Sequence, residues 1–264
     1  MLKAYKYRVY PNNEQKMQIA KTFGCCRFVY NQTLAYKKDT YEQEKKSVSK
    51  TDCNNYCNRE LKNTYEWLKE VDNFEDGKIK LPKLKEVKAK LHREFHGKIK
   101  SATVSQVPSG KYYVSILVET EHEELPHRNQ NIGLDLGIKD LCITSDGIRY
   151  ENLKIMKKNG RKLSRLQRQL SHKEKGSSNY QKKKKEIAIC HEKIRNTRKD
   201  YLHKISHEIV SENQVIVSEN LQIKNMVKNH HLAKSISDVS WYELTRQLEY
   251  KSKWNGREYI RIDT

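Results

Sequence analysis

The sequence predicts an α/β protein with a smaller α+β part at its N-terminal end. Residues 131–151 read as three short strands, basic helical sequence follows, and two further strands at 213–221 and 257–263 are separated by a helix. This alternation of strand and helix is typical of α/β folds. Residues 2–10 and 97–120 alternate apolar and polar side chains, which indicates a separate small sheet.

A polar, aperiodic stretch at residues 121–130 divides these two parts. We therefore expect one domain at residues 1–125 and a second at residues 126–264.

The first elements are a strand and a helical module. Residues 2–10 alternate with a period near two, which predicts a strand. Asn12 or Asn13 can cap a helix that follows, and Gly24 is expected to end it. A second helix then runs to about residue 46 and a third covers roughly 51–70. Together these predict a compact helical module at about 12–72.

A β-hairpin is the clearest local pattern in the N-terminal part. Two runs rich in Val, Ile, Tyr and Thr flank Pro108-Ser109-Gly110, residues that favour a turn. We expect this hairpin to join the first strand in a small sheet or barrel.

The second part begins with the sequences NIGLDLG, LCITSDG and IRYEN, which predict three short strands joined by tight turns. Asp146-Gly147 is a strong hairpin dipeptide. A basic helical region follows at about 154–213, interrupted at the sequence KEKGSSN. NQVIVSENL predicts a buried strand, residues 240–254 a helix, and REYIRID a last strand.

The charge of the chain indicates a polyanionic partner. The sequence has 53 Lys and Arg against 33 Asp and Glu, a net charge of +20. Nucleic acid is the commonest partner of so basic a chain, and a merely solvated surface is the alternative. No stretch approaches the roughly 20 apolar residues that span a bilayer, and the N-terminus lacks a secretory signal. The sequence thus predicts a cytoplasmic protein without a membrane partner.

The six cysteines predict reduced thiols in that compartment. Cys53 and Cys57 could share a helix face. No second Cys or His pair follows at the spacing of a zinc finger or ribbon, so zinc is not expected.

Two carboxylates interrupt apolar strands, Asp135 in IGLDLGI and Glu219 in VIVSENL. Burying a carboxylate is costly unless a cation compensates it. If the two strands are neighbours, both carboxylates would meet at one edge of the sheet, where Mg²⁺ or Mn²⁺ could bind and support phosphodiester cleavage. The alternative is that each acid forms an ordinary turn or cap.

The basic helical region is the second candidate site. Residues 153–204 contain 18 Lys and Arg against 4 Asp and Glu. A solvated helix would normally intersperse acids at i,i+4, whereas this pattern favours contact with a phosphate backbone. The candidate nucleic-acid-binding residues are Lys157, Lys158, Arg161, Lys162, Arg165, Arg168, Lys182, Lys183, Lys184, Lys185, Arg195 and Arg198.

Aromatic and histidine side chains give weaker signals. Tyrosines among lysines can stack on bases, although at alternating strand positions a core role is favoured. We expect Trp67, Trp241 and Trp254 to be packing residues, and His230-His231 to be a surface pair.

Three segments together resemble one family. They are YKYRVYPNNEQ with FGCCRFVYNQTLAYKKDTYEQ, then GLDLGIKDLCITSDG with the basic helices, and finally residues 216–264 beginning IVSENL. They resemble TnpB, or OrfB, the insertion-sequence family that is similar to type V CRISPR nucleases. The resemblance covers nearly the whole chain and its motifs are specific.

The resemblance implies an N-terminal wedge β-barrel with inserted recognition helices, and a C-terminal RuvC-like domain of RNase H fold. Asp135 would be the first catalytic carboxylate and Glu219 the second, both ligands of Mg²⁺ or Mn²⁺. Intact relatives are RNA-guided DNA endonucleases, so the implied partners are a guide RNA from the element end and a double-stranded DNA target.

Two departures from the family pattern bear on activity. The sequence ends at Thr264, before the zinc ribbon and third catalytic Asp of the family; Asp263 matches a position that is not catalytic. A helical basic segment is also shortened near Asp72-Asn73. We therefore expect cleavage to be impaired, the alternative being a catalytically inactive RNA- or DNA-binding remnant or repressor.

Overall fold

The protein is described by a computed structural model that covers residues 1–65, 67–68, 87–121, 124–226, 228–229 and 233–263. It has mixed α/β structure with two sheets and divides into two compact units. The N-terminal unit comprises Leu2–Gln106 and Lys111–Glu119, and the C-terminal unit comprises Thr120–Thr264 with Met1 and Val107–Gly110. His230-His231 and the shortened segment near Asp72-Asn73 lie outside the described residues.

The sheet of the N-terminal unit has four antiparallel strands in the order β2-β1-β4-β3. They are β1 (Leu2–Tyr10), β2 (Lys88–Lys90), β3 (Lys98–Gln106) and β4 (Tyr112–Glu119). The predicted first strand and hairpin are confirmed, and Gly110 takes the positive φ of 85° that its turn requires. Alternate residues of β1 and β4 form the core, among them Tyr7, Ile116 and Val118.

Helix α1 (Asn13–Glu44) is continuous, so the prediction that Gly24 ends it is wrong. Asn12 caps the helix by accepting a hydrogen bond from the Gln15 amide, in a capping box. Gly24 remains helical, and a Cβ atom there would meet nothing within 4 Å. One glycine costs a helix only about 1 kcal/mol, too little to break 32 residues.

Residues 45–49 separate α1 from the shorter helices of this unit, which follow one another directly. They are α2 (Lys50–Asn55), a π-helical turn (Tyr56–Leu61) and α3 (Lys62–Thr64). Leu61 and Leu68 pack with Cys25 in a small apolar cluster. Trp67 contacts Phe28 edge-on at 5.0 Å between ring centroids but stays 41% exposed, so it is only partly a packing residue.

The sheet of the C-terminal unit has five strands in the order β7-β6-β5-β8-β9. The strands are β5 (Asn131–Asp135), β6 (Asp140–Thr144), β7 (Arg149–Glu151), β8 (Val215–Glu219) and β9 (Glu258–Ile262). β5, β6 and β7 are antiparallel, while β8 runs parallel to β5 and β9 parallel to β8. All five strands predicted for this part are confirmed.

The helices of this unit connect the parallel strands. Between β7 and β8 lie α4 (Ile155–Ser171) and α5 (Ser178–Glu212), which confirm the basic helical region and its interruption. Between β8 and β9 lie α6 (Ile223–Met226), α7 (Ala233–Val239) and α8 (Trp241–Trp254). Parallel strands need such crossovers because their ends lie at opposite edges of the sheet.

Two apolar clusters hold this unit together. One face of the sheet packs on the second half of α5 and on α8, through residues such as Leu134, Ile216, Ile209 and Leu248. The first half of α5 instead packs on α4, where Leu163, Leu166, Cys190 and Ile194 are buried. Helix α5 is therefore shared between the sheet core and a helical hairpin.

None of the helices in the described part of the chain is long and apolar enough to cross a membrane. The six cysteines form no disulfide with one another, and Cys25, Cys142 and Cys190 are buried.

Candidate metal and nucleic-acid site

The two predicted carboxylates lie at the ends of neighbouring parallel strands. β5 pairs with β8 up to Leu134 opposite Ser218, so Asp135 and Glu219 occupy the next register position. Leu134 and Ser218 are buried on the helix-covered face, whereas Asp135 is exposed and Glu219 half-buried. Since side chains alternate along a strand, both carboxylates belong to the opposite face.

The segment around Asp135 is fixed by backbone contacts. The Gly133 amide donates to Ser145 Oγ at 3.2 Å, and the Ser145 amide donates back to the Gly133 carbonyl at 2.8 Å. After the strand, a Cβ atom on Gly137 would lie 3.1 Å from the Asp140 carbonyl oxygen, so glycine suits this close turn. Asp135 is thereby held at a defined strand end.

The negative charge of Asp135 acts on the buried thiol of Cys142. Burial, and to a smaller extent the negative charge of Asp135, together raise the pKa of Cys142 to about 12. Cys142 is therefore a neutral packing residue at neutral pH and no candidate nucleophile.

Asp263 is a third acid near these strand ends, but it does not share the register position of Asp135 and Glu219. Ile262 is opposite Glu219, so Asp263 follows one position later, where its Oδ1 accepts a hydrogen bond of 2.7 Å from Asn220 Nδ2. Within the described residues, no group of three or more His, Cys, Asp or Glu side chains could hold a metal ion. The structure thus brings together two carboxylates, Asp135 and Glu219.

A two-carboxylate site still suits a small divalent cation. Mg²⁺ prefers oxygen ligands and is usually held by one or two carboxylates together with substrate phosphates. Asp135 and Glu219 supply such oxygens at one strand edge. The donor set therefore fits Mg²⁺ or Mn²⁺ when a nucleic-acid phosphate completes the coordination.

The basic residues of the helical hairpin form an exposed surface. Leu163 and Leu166 turn towards α5, which leaves the cations of α4 facing solvent. The exposed cations among the predicted binding residues are Lys157, Lys158, Arg161, Lys162, Arg165 and Arg168 of α4, and Lys182, Lys184, Lys185 and Arg195 of α5. We call these ten residues the basic surface.

Two of the predicted binding residues are engaged elsewhere. Lys183 pairs with Glu186 at 2.7 Å, and its side chain is only 20% exposed. Arg198 donates to Asp238 at 2.7 Å, and Asp238 itself is 8% exposed. The prediction that Arg198 binds nucleic acid does not agree with this position, because its charge is already neutralised inside the protein.

Asp238 is a structural residue that the sequence reading missed. Besides the Arg198 guanidinium, its two carboxylate oxygens share the N–H of Met156 at the start of α4, each at 3.1 Å from the nitrogen. The residue before α4, Lys154, has a left-handed backbone and no capping side chain. A helix start without Ser, Thr, Asp or Asn could have indicated that an acceptor comes from elsewhere in the chain.

Two family models match segments of the chain, and one solved structure aligns with part of it. The family model OrfB_IS605, described as "Probable transposase", matches residues 115–230, and its "Helix-turn-helix domain" model matches residues 1–46. A cryo-EM structure of a Cas12f1-sgRNA-target DNA complex aligns with 58% of this chain and 33% of its own, at 18% identity and a TM-score of 0.38.

Two curated relatives match almost the whole chain. A "Putative RNA-guided DNA endonuclease" of Streptomyces pristinaespiralis is 32% identical over 99% of this chain and 77% of its own length. The "Putative RNA-guided DNA endonuclease InsQ" of Escherichia coli strain K12 is 32% identical over 99% of this chain and 80% of its own length. The chain therefore belongs to the TnpB/OrfB family of insertion-sequence proteins.

Proposed function

We propose that this chain is an RNA-guided, metal-dependent DNA endonuclease of the TnpB/OrfB type. The observation that carries the proposal is the position of Asp135 and Glu219 as the last residues of neighbouring parallel strands, one position beyond the paired Leu134 and Ser218. Two relatives named "Putative RNA-guided DNA endonuclease" support the same activity. The proposed partners are a guide RNA from the element end and a double-stranded DNA target.

The proposed domains are an RNase H-like C-terminal unit and a wedge β-barrel in the N-terminal unit. Three consecutive antiparallel strands, followed by two parallel strands on the other side of β5, support the RNase H-like assignment. The four-stranded antiparallel sheet with the inserted helices α1 to α3 supports the second assignment.

Asp135 and Glu219 would hold Mg²⁺ or Mn²⁺ at the strand edge. The bound ion would polarise the scissile phosphate and stabilise the charge that develops during phosphodiester hydrolysis. The protein side chains contribute negative charge that attracts the cation and a fixed position that aligns it with the phosphate. Gly133, beside Asp135 on the same face, adds no side chain that would obstruct a nucleic-acid backbone.

The basic surface would bind the phosphate backbone of the nucleic acid. Its ten cations are exposed, and contacts of this kind give affinity without reading sequence. Lys183 and Arg198 are left out of this role because Glu186 and Asp238 already neutralise them.

Plasmid cleavage tests the proposal. The protein is purified with co-expressed RNA from the element end and incubated with target plasmid and Mg²⁺ or Mn²⁺. We expect weak metal-dependent cleavage that is lost in Asp135→Ala and in Glu219→Ala. The matched control is Asp146→Ala, which removes an exposed acid from the turn after β6 and should cleave normally. Cleavage that persists in Asp135→Ala would contradict the assignment of the metal site.

A second candidate function is nucleic-acid binding without cleavage, as in an inactive remnant or repressor. The convergence of only two carboxylates among the described residues favours it. Two carboxylates supply less negative charge and fix a cation less firmly than three would, and charge stabilisation and positioning are worth several kcal/mol of barrier. Bound RNA and DNA with intact plasmid at saturating Mg²⁺ and Mn²⁺ would establish this second function in place of the first.

A further inference from the structure

Helix α1 carries an open groove that neither the proposed metal site nor the basic surface uses. Its volume is about 660 Å³, and the described residues that line it come from α1 and from Trp67. Pockets that bind small ligands typically span roughly 300–1,000 Å³. All of these residues belong to the N-terminal unit. We call this feature the α1 groove.

Trp67 forms an exposed aromatic wall of the α1 groove. Its ring lies edge-on to Phe28 at 5.0 Å and to Tyr65 at 6.1 Å between centroids, and the next residue, Leu68, is buried. These contacts hold the indole in place, yet 41% of Trp67 is exposed. Tryptophan is highly buried on average and is enriched where proteins bind partners. The exposed part of the ring therefore offers a fixed surface on which a flat group can stack.

Gly24 keeps the α1 groove open. It lies within α1, where glycine lowers helix stability, and its φ is not positive. A Cβ atom at this position would meet nothing within 4 Å, so no described neighbour requires glycine. Backbone conformation and packing therefore do not account for this residue. The missing side chain leaves space in which a ligand can approach the helix backbone.

The polar residues of the α1 groove suit a nucleotide. Lys21 and Arg27 are exposed cations, and no acid is among the described lining residues. Gln18 and Asn31 add side-chain amides. Cations attract phosphate, whereas amides both donate to and accept from the edge of a base. An acidic peptide would pair with the cations, but nucleic acid places a flat π face beside every phosphate. The combination with an exposed indole therefore favours nucleic acid.

The exposed indole further favours an unpaired base. Bases inside a duplex are stacked and paired, so their faces are not available to a side chain. Proteins bind single strands by combining cations along the backbone with aromatic side chains on which bases stack. The α1 groove supplies both kinds of contact from one helix and one adjoining aromatic residue.

We propose that the α1 groove binds one unpaired nucleotide, with its base stacked on Trp67 and its phosphates bound by Lys21 and Arg27. The inference rests on the proposed function in one respect, that the partner of the chain is nucleic acid. It adds a contact in the N-terminal unit that is separate from the basic surface of α4 and α5.

Tryptophan fluorescence tests this proposal with the full chain. The probes are a short single-stranded DNA of mixed sequence, the RNA of the same sequence and the matching DNA duplex. We expect both single strands to quench the emission of Trp67, measured as the difference between the unmodified protein and Trp67→Phe. Trp241 and Trp254 contribute to both signals, so the difference isolates Trp67. The duplex should quench it little, because its bases are already stacked.

Two variants change the α1 groove, and a third is a matched control. Gly24→Leu fills the groove while favouring the helix, so weaker binding could not result from lost folding. We expect it to weaken single-strand binding by about tenfold, as should Trp67→Leu, which removes the indole but keeps an apolar contact for Phe28. Ala35→Leu makes a similar addition at an exposed position of α1 outside the groove lining. It should leave the dissociation constant within about twofold.

The salt dependence of binding separates stacking from phosphate contacts. Trp67→Leu should leave the slope of log affinity against log salt unchanged, because a lost stacking contact releases no counterion. Lys21→Ala and Arg27→Ala should each reduce that slope by about 0.7, the value for one phosphate contact on a single strand.

The outcomes separate this inference from the proposed function. Single strands that bind without quenching Trp67, or that bind Gly24→Leu with unchanged affinity, would overturn the inference and leave the function standing. Equal quenching by the duplex, or an unchanged salt slope in both Lys21→Ala and Arg27→Ala, would overturn it too. Equal quenching by polyglutamate would assign the groove to acidic peptides instead. Quenching as expected without any plasmid cleavage would overturn the proposed endonuclease function alone.

Discussion

The ion pair between Arg198 and Asp238 should be a major support of the C-terminal unit. Asp238 accepts a hydrogen bond of 2.7 Å from the Arg198 guanidinium and a bifurcated one from the Met156 amide, and only 8% of its side chain is exposed. Asp238→Ala leaves a largely buried guanidinium unpaired. Breaking a buried pair costs about 3–5 kcal/mol, and losing a helix N-cap contact costs about 1 kcal/mol.

The partial exposure of Arg198 lowers this expected cost. Its side chain is 21% exposed, so solvent screens part of the uncompensated charge. We therefore expect Asp238→Ala to lower the free energy of unfolding by about 3 kcal/mol. Asp238→Asn keeps one acceptor oxygen for the Met156 amide but loses the charge, and should cost about 1–2 kcal/mol. This ordering separates the electrostatic part from the capping part.

Urea unfolding followed by tryptophan fluorescence measures these costs. The chain has three tryptophans, and Trp67→Phe leaves Trp241 and Trp254 as reporters of the C-terminal unit. All variants are compared in that background. The matched control is Asp200→Ala in α5, which removes the exposed partner of Lys204 and should cost at most about 0.5 kcal/mol.

A double-mutant cycle decides whether the reasoning is correct. The partner variant is Arg198→Met, which keeps much of the side-chain volume and removes the charge. If the pair is coupled, the double variant loses less stability than the sum of the two single variants. Additive effects, or a cost for Asp238→Ala no larger than that of the Asp200→Ala control, would refute the role given to this pair.

Further variants test other features of the chain. Gly97 has a φ of 124°, and a Cβ atom there would clash with the carbonyl oxygen at the end of β4. Gly97→Ala should therefore lower the free energy of unfolding by about 2 kcal/mol or more, the combined cost of a strained backbone and a clash. Gly24→Ala in α1 should instead raise it by about 0.5–1 kcal/mol, and thermal unfolding compares the two variants. Burial, and then the charge of a neighbouring lysine, lowers the pKa of His203 from 6.5 to about 4. As the pH falls, the unfolded chain protonates at His203 before the folded chain does, so the contribution of His203 to stability is fully present above pH 6.5 and is lost towards pH 4. Between pH 7 and pH 5, His203→Gln should lose about 1 kcal/mol less free energy of unfolding than the unmodified protein, measured by urea titration. Equal losses of stability in the two proteins would exclude this linkage. If the basic surface binds DNA phosphates, Arg161→Ala and Arg165→Ala should each reduce the slope of log affinity against log salt by about 0.9, measured by fluorescence anisotropy; an unchanged slope would remove that residue from the surface.

Local patterns predicted most of the elements. The alternating residues of β1 and the Asp146-Gly147 turn each depend on neighbours in sequence, and both formed as expected. The prediction that Gly24 ends a helix is wrong because it considers the glycine alone and ignores the helical stability of the residues on either side. β2 was not predicted since its three residues are all exposed and carry no apolar alternation.

The candidate site could be predicted only in part, because some of its residues are positioned by contacts between distant parts of the sequence. The apolar runs around Asp135 and Glu219 identified two strand ends, and parallel pairing then made them neighbours. The inward position of Arg198 depends on Asp238, which is 40 residues away in sequence. Composition counts both residues as charges but does not indicate that they cancel each other. Contacts over such separations follow from tertiary packing, so a charge pattern alone overestimates the binding surface.

Helix α5 also constrains how the sequence can change during evolution. Its first half packs on α4 and its second half packs in the sheet core, without interruption over 35 residues. Each residue added between these halves turns one by about 100° relative to the other, so a single insertion would rotate the apolar stripe out of one of its two contacts. Seven added residues nearly restore the phase, since they differ from two full turns by only about 20°. Length variation among relatives is therefore expected in the connection between α4 and α5, or within α5 in steps close to whole pairs of turns.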